Sequence, residues 1–400
     1  MEKRSLFCLS AVHEVVAIIF SIEADARSNG LYQAADPGAP GLGSPKFVAV
    51  NSIRVEEIIM IRIGITGIGF MGWIHYLATR GLQNSKLAAV CSRDQKKLAG
   101  DWTAIRGNFG PPGEMVDLST LKKYESLDKM LADPDIDLVD ICNPTHLHPE
   151  TAIAALKAGK HVLVEKAIAL TPDQADAMLA AAKQANRLLM VAHVLPFFPE
   201  FAYAAQVTRS GQFGKLLGGH FKRVISRPDW SADIGDAAKT GGPAIDLHIH
   251  DTHFIGLLCG VPTSVFSTGV VEKDVVQHLT TQYLYGPSGP SVTCSSGAVA
   301  MSGRQFVHGY EIYFKKATLV YESGTCPLTL LTSDGKSSHP ELLGGGDPIS
   351  AFTMEIQAAV DGVVAGKSPD LLSAQLARDA LAMCFKECES VKTGKVVAMN

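Results

Sequence analysis

Six residues, Gly67-Ile68-Gly69-Phe70-Met71-Gly72, constrain this chain more than any other segment of it. The apolar run Ile61–Thr66 directly before them has the length of a buried strand, and Trp73–Thr79 after them has helical spacing. Glycines at the junction of such a strand and helix each have a use. Gly67 permits a tight turn, Gly69 lets backbone approach an anionic ligand, and Gly72 lets helix and strand pack closely. The N–H groups at the helix start then point at that ligand, and the pyrophosphate of a dinucleotide is the expected one.

The rhythm downstream agrees with this reading. Buried strands are expected at Lys86–Cys91, Leu138–Cys142, His161–Val164 and Leu188–Ala192, with helices at Leu127–Ala132, Pro149–Ala158 and Thr171–Asn186 between them. Pro149 suits a first helical turn, Gly159 a C-cap, and Thr171-Pro172 a helix start. Strands that alternate with helices build right-handed βαβ units and a parallel sheet. Beyond Pro196 the rhythm changes to a helix at Glu200–Arg209, a strand at Leu216–Ser226, a helix at Ile245–Leu258 and clustered strands between Ser264 and Leu331. Helices at Ile349–Ala365 and Ala374–Lys392 follow. The expected fold is α/β: an N-terminal Rossmann domain with a doubly wound parallel sheet over residues 60–195, and a C-terminal α+β domain for substrate binding and oligomerisation, with a mainly antiparallel open sheet, over residues 196–400.

Residues 1–59 do not share the pattern. Glu2, Lys3 and Arg4, an apolar run to Ile22 and Ala24-Asp25-Ala26 imitate a secretory leader, but His13 and Glu14 interrupt its apolar core. Gly30–Ser44 reads as linker. The segment is expected to be a flexible extension or to lie upstream of a start at Met60. Thirty-six basic and 40 acidic residues are mixed along the chain, so no basic stripe exists for nucleic acid. Eight cysteines without a C-x-x-C pair suit a reducing cytoplasm, and no apolar run reaches the ~18 residues of a membrane span.

About 20 residues past the glycine turn, where an acid on the ribose hydroxyls favours NAD, the chain reads Cys91-Ser92-Arg93-Asp94. Ser92 and Arg93 suit a 2′-phosphate, and Asp94 suits the cap of the next helix, so NADP is preferred with NAD possible. Moving a hydride to or from a carbinol carbon also needs a titratable group for the oxygen's proton. Lys166, with Glu165, follows the strand His161–Val164 at the carboxyl end of the sheet, where doubly wound folds bind ligands. Further on, Asp246 and His250 are four apart on an expected helix, suited to act as orienting carboxylate and acid–base imidazole.

In combination, Gly67–Gly72, the stretch Asp140-Ile141-Cys142-Asn143-Pro144-Thr145-His146-Leu147-His148, the Glu165-Lys166 pair, and Asp246 to His250 after Gly241-Gly242 resemble the glucose–fructose oxidoreductase and inositol dehydrogenase superfamily, Gfo/Idh/MocA. Ala377–Leu381 and Thr393–Val397 are similar to that family's last helix and strand, so the likeness spans nearly all of residues 60–400. The resemblance implies an NAD(P)-dependent dehydrogenase or reductase acting on CH–OH groups of sugars, cyclic polyols or related hydroxy and keto compounds. It implies Lys166, Asp246 and His250 as the catalytic set, with Asn143, Pro144 and His148 lining the nicotinamide ribose and Glu165 and Lys166 beside the cofactor as well. It also implies a homodimer or homotetramer. Three departures stand out. Ala167 replaces a frequent proline, so the backbone at Lys166 is expected to differ; Pro196 stands where relatives often carry arginine; and Pro243 replaces a third glycine and stiffens the approach to the catalytic helix.

The substrate pocket is expected between the domains, walled by Trp230, the loop Arg227–Gly242 and His253. Two other readings stay open. One is a non-catalytic, nucleotide-binding regulatory protein of the same fold, since fold alone does not establish activity. The other is a metal-dependent hydrolase using His248 and His250, although on one helix these residues point about 200° apart. No metal is expected.

Overall fold

A strand that is apolar throughout needs cover on both faces, and the first strand, β1 (Ile61–Thr66), has it: Ile63 and Ile65 are fully buried. The computed structural model describes residues 59–227, 236–345 and 347–399, so the expectations for residues 1–58 and for Trp230 lie outside the described residues. Around β1 assemble β2 (Ser85–Cys91), β3 (Lys122–Tyr124), β4 (Leu138–Ile141), β5 (His161–Glu165) and β6 (Leu189–Ala192). Their order is β3-β2-β1-β4-β5-β6 and every pairing is parallel, which is the doubly wound arrangement. Strand β3 has no counterpart among the strands expected from the sequence. It is a three-residue edge strand whose two lysines carry no apolar periodicity, and lysine is a residue that protects sheet edges.

Helix α1 (Phe70–Ala78) covers one face of this sheet through Trp73 and Ile74. Helices α2 (His148–Lys157) and α3 (Pro172–Ala185) cover the other through Ala152, Leu156, Ala175 and Met178. The start of α3 follows its sequence signals. The Thr171 hydroxyl accepts the Gln174 N–H, the Gln174 side chain accepts the Thr171 N–H, and Pro172 occupies the first turn.

After α4 (Pro199–Ser210) the chain builds a nine-stranded sheet from β7 (Leu216–Ser226), β8 (Ser264–Glu272), β9 (Val275–Leu284), β10 (Ser291–Ala300), β11 (Val307–Phe314), β12 (Ala317–Glu322), β13 (Cys326–Thr332), β14 (Ser337–Ser338) and β15 (Val397–Ala398). The order is β14-β13-β12-β11-β7-β10-β9-β8-β15, and β7 with β10 is its one parallel pair among the described residues. Helix α5 (Ile249–Cys259) packs Phe254 and Ile255 against this sheet together with Phe201 of α4. The chain then returns to the first sheet. Helix α6 (Ser350–Ala365) joins the α1 face through Phe352, Ile356 and Val360, and α7 (Ala374–Thr393) joins the opposite face through Ala377, Ala380 and Leu381.

One expected element is broken. Instead of a continuous helix from Ile245 to Leu258, a single turn, Pro243–Asp246, is separated from α5 by Leu247 and His248. The Asp246 carbonyl, which an unbroken helix would give to the His250 N–H, accepts from Lys166 Nζ at 2.9 Å instead. The His250 N–H turns to the Leu247 carbonyl at 3.4 Å. A side chain 80 residues away therefore interrupts the ladder.

Candidate active site

The glycine turn has the geometry expected of it. Gly67 sits at φ +86°, and a side chain there would run into the backbone of Cys142 and Asn143. A Cβ on Gly72 would collide with the Gly67 carbonyl oxygen, which accounts for the close packing of helix and turn. At Gly69 the surroundings are open, with nothing within 4 Å of an added Cβ, and no side chain caps the helix that starts there. An uncapped helix start facing open space fits the phosphates of a dinucleotide. Ile68 is buried and contributes its carbonyl, which accepts from Lys97 Nζ at 2.5 Å. Sequence reasoning did not find Lys97. Phe70 packs edge to face on Phe109, with ring centroids 4.8 Å apart, and Met71 is half-buried.

At the end of β2, Asp94 is committed to capping: its carboxylate accepts the Lys96 N–H at 2.9 Å. Ser92 Oγ accepts the Asp94 N–H at 3.1 Å, while Arg93 is exposed and forms no ion pair with another described residue. At the end of β4, Pro144 is exposed and Asn143 donates from Nδ2 to Thr151 Oγ1 at 3.2 Å. His148 is buried with its ring nitrogens 2.7 Å from the Asn143 carbonyl and 2.8 Å from the Ala167 carbonyl. Its polar atoms tie the loop after β4 to the loop after β5; burial lowers its pKa.

The Lys166–Ala167 peptide is cis. The Lys166 N–H donates to Glu165 Oε2 at 3.0 Å, and Nζ donates to Asp246 Oδ1 at 2.8 Å. The pairing expected between Asp246 and His250 is therefore replaced: the Asp246 carboxylate orients Lys166, and no hydrogen bond joins it to His250 among the described residues. His250 is half-buried near Lys166, and burial first, then the Lys166 charge, hold its pKa well below the usual histidine value. Pro196 lies buried in the turn Leu195–Phe197, and Pro243 opens the short turn before Asp246.

His253 does not wall an open pocket. It is fully buried and stacks on His193, with centroids 3.8 Å apart and planes within 5°, and the ring nitrogens of both lack hydrogen-bond partners. His193 was invisible to sequence reasoning. Register pairs Glu165 with Ala192, so His193 follows β6 level with Lys166 after β5. The hydrolase reading also meets a correction. His248 is buried against Glu387 of α7, away from His250, and among the described residues neither histidine belongs to a group of three donors close enough to share a metal ion.

These neutral histidines carry a signed pH dependence. Burial lowers His253 to about 3 and holds His193 and His250 well below the usual value. Each titrates near ~6.5 when unfolded, so below that pH the unfolded chain binds protons that the folded one refuses. Stability should be full above ~6.5 and fall below it by up to about 1.4 kcal/mol per pH unit for each such residue, whereas His75, shifted up, works in the other direction. Denaturant midpoints measured from pH 8 down to about 5 should decline; a level profile would contradict neutral burial.

Fold and site together define a two-domain protein of the Rossmann class, with a dinucleotide-type turn and an ionisable cluster at the carboxyl end of the same parallel sheet. A family model described as an oxidoreductase family with an NAD-binding Rossmann fold matches residues 61–193, and the GFO/IDH/MocA C-terminal domain matches residues 201–320. The chain belongs to the Gfo/Idh/MocA family. It is 28% identical to myo-inositol 2-dehydrogenase of Thermotoga maritima over 54% of this chain and 60% of that protein. It is 33% identical to levoglucosan dehydrogenase of Pseudarthrobacter phenanthrenivorans over 43% of this chain and 42% of that protein. The matched stretch thus spans less than two thirds of either relative. A solved levoglucosan dehydrogenase, in complex with NADH and levoglucosan, superposes with a TM-score of 0.74 at 20% identity, covering 85% of this chain and 99% of that one. Among the described residues, no helix is long and apolar enough to cross a membrane.

Proposed function

We propose that this chain is an NAD(P)-dependent oxidoreductase that moves a hydride between nicotinamide and a CH–OH carbon of a sugar, cyclic polyol or related hydroxy or keto compound. The observation that carries the reading is the meeting of Lys166, Asp246 and His250 at the carboxyl end of the first sheet, the end that also bears the open glycine turn. Gly67 to Gly72, Ser92, Arg93, Asn143 and Pro144 would hold the dinucleotide, which supplies or accepts the hydride when bound. His250, neutral at pH 7, takes the hydroxyl proton during oxidation and returns it during reduction. Lys166, oriented by Asp246, donates a hydrogen bond to the same oxygen and stabilises the alkoxide as it develops. Relatives named for inositol and levoglucosan support the substrate class. A thermal-shift screen of cyclic sugars and polyols with dinucleotide present, followed by turnover assays, tests it. A protein that binds dinucleotide but turns over none of them would return the regulatory reading.

The cofactor is read as NADP, with NAD possible. Asp94 is engaged in capping, which leaves Ser92 and the exposed Arg93 as the groups at the end of β2. Arg93→Ala should weaken NADPH binding about tenfold or more and leave NADH within about twofold, the cost of one charge-assisted phosphate contact. Equal effects on the two would remove Arg93 from the choice. The seven described cysteines are free, which supports a reducing cytoplasm. The outer face of the second sheet, with His220, Thr280 and Gln282 exposed, supports assembly into a homodimer or homotetramer.

A further inference from the structure

The proposed chemistry leaves unused a set of ionisable side chains sealed beneath Lys166. His75 of α1, Asp140 of β4, Glu165 of β5 and Glu355 of α6 come from four elements, and none is more than 6% exposed. His75 Nδ1 lies 3.0 and 2.9 Å from the two Asp140 oxygens, and its Nε2 lies 3.0 Å from Glu165 Oε1. The other Glu165 oxygen accepts the Lys166 N–H at 3.0 Å. A continuous line of contacts therefore runs from Asp140 through His75 and Glu165 to the Lys166 backbone, and on through Nζ to Asp246.

Both ring nitrogens of His75 face carboxylates, so both donate only in the imidazolium form. Burial opposes that charge, but the Asp140 carboxylate overrides it and holds the pKa well above the usual histidine value. The other neighbours are neutral. Burial keeps the Cys142 thiol protonated, and it reaches Asp140 Oδ1 at 3.7 Å. Burial, then the Glu165 charge, keeps Glu355 protonated, and neither of its oxygens has a partner. One imidazolium thus stands between two carboxylates.

We propose that His75 is a positioning residue, which by bridging Asp140 and Glu165 fixes the Lys166 backbone and so the place where the Lys166 ammonium meets the substrate oxygen. This rests on the reading that Lys166 acts on that oxygen. A neutral side chain anchored on α1 reaches one carboxylate, not both, and removal of the cation leaves two buried like charges facing one another. Glu165 then takes up a proton or turns away, and releases the Lys166 N–H. No other described contact of Glu165 takes over that hold.

The test compares His75→Gln, Glu165→Gln and Lys166→Ala in the full chain, with dinucleotide affinity by fluorescence titration and kcat and KM across pH on a polyol that the wild type oxidises. Glu165→Gln leaves a single acceptor oxygen where His75 and the Lys166 N–H each hold one, and decides the matter if His75→Gln does not fold. For both network variants the expected result is dinucleotide Kd and KM within about threefold of wild type, kcat lower by about a hundredfold from misplacement of a catalytic group, and a displaced kcat–pH profile. Wild-type kcat and pH profile in both, with Lys166→Ala inactive, overturn the positioning role alone. Parallel loss of Kd, KM and melting temperature overturns it in favour of a purely structural role. Undiminished kcat in Lys166→Ala overturns the underlying reading instead.

Discussion

Lys166→Ala is expected to lower kcat/KM by about two to four orders of magnitude, the range of a positioned proton-handling or charge-stabilising group, while dinucleotide affinity changes little. The expectation follows from how Lys166 is held. Its N–H is tied to Glu165, and its Nζ is shared between the Asp246 carboxylate at 2.8 Å and the Asp246 carbonyl at 2.9 Å, so the ammonium sits in one place. With alanine, the Asp246 carboxylate loses that partner and a negative charge remains where an alkoxide would form, which opposes the reaction. The Asp246 side chain is 30% exposed, so water solvates it and the fold survives. Undiminished turnover in a folded variant would remove Lys166 from the mechanism.

Asp251→Asn should have the largest effect on stability. Asp251 of α5 accepts from Arg223 of β7 at 2.6 Å (Nε to Oδ2) and 3.1 Å (Nη2 to Oδ1), with side-chain exposures of 0% and 5%. Asparagine keeps the shape but leaves the guanidinium buried without its counter-charge, which costs about 3–5 kcal/mol. Against a typical total of roughly 5–15 kcal/mol, this should sharply reduce the yield of folded protein. Replacing both partners, Arg223→Met with Asp251→Leu, should recover most of the loss, because an apolar pair of similar volume carries no stranded charge. Chemical denaturation of the three variants measures this. A cost below about 1 kcal/mol for Asp251→Asn would mean that water reaches the pair. Asp251 directly follows His250, so the same pair fixes the helical turn that presents the proposed base.

What could be read in the sequence was local. The glycine turn, the strand before Lys166, the helix start at Thr171-Pro172 and the Asp94 cap each depend on residues a few positions apart, and the structure reproduces them. The departures come from distant partners. The helix expected through Asp246 breaks because Lys166, in the loop after β5, takes its carbonyl. His253 looks like a pocket residue until His193, at the end of β6, stacks on its ring. His248 looks like half of a metal pair until Glu387 of α7 reaches it. His75 sits on a helix face that periodicity marks as core, and only the sheet order reveals the two carboxylates flanking it. Periodicity reports that a side chain is buried and is silent about its company.

Helices α6 and α7 give the order of events during synthesis a physical meaning. A nascent chain that has emerged as far as β14 carries every strand of the first sheet and the whole glycine turn, yet Phe352, Ile356 and Val360 on one face and Ala377, Ala380 and Leu381 on the other are still to come. The dinucleotide-binding half therefore cannot close its core as the ribosome delivers it. Maturation of the glycine turn is thereby tied to the delivery of α6 and α7.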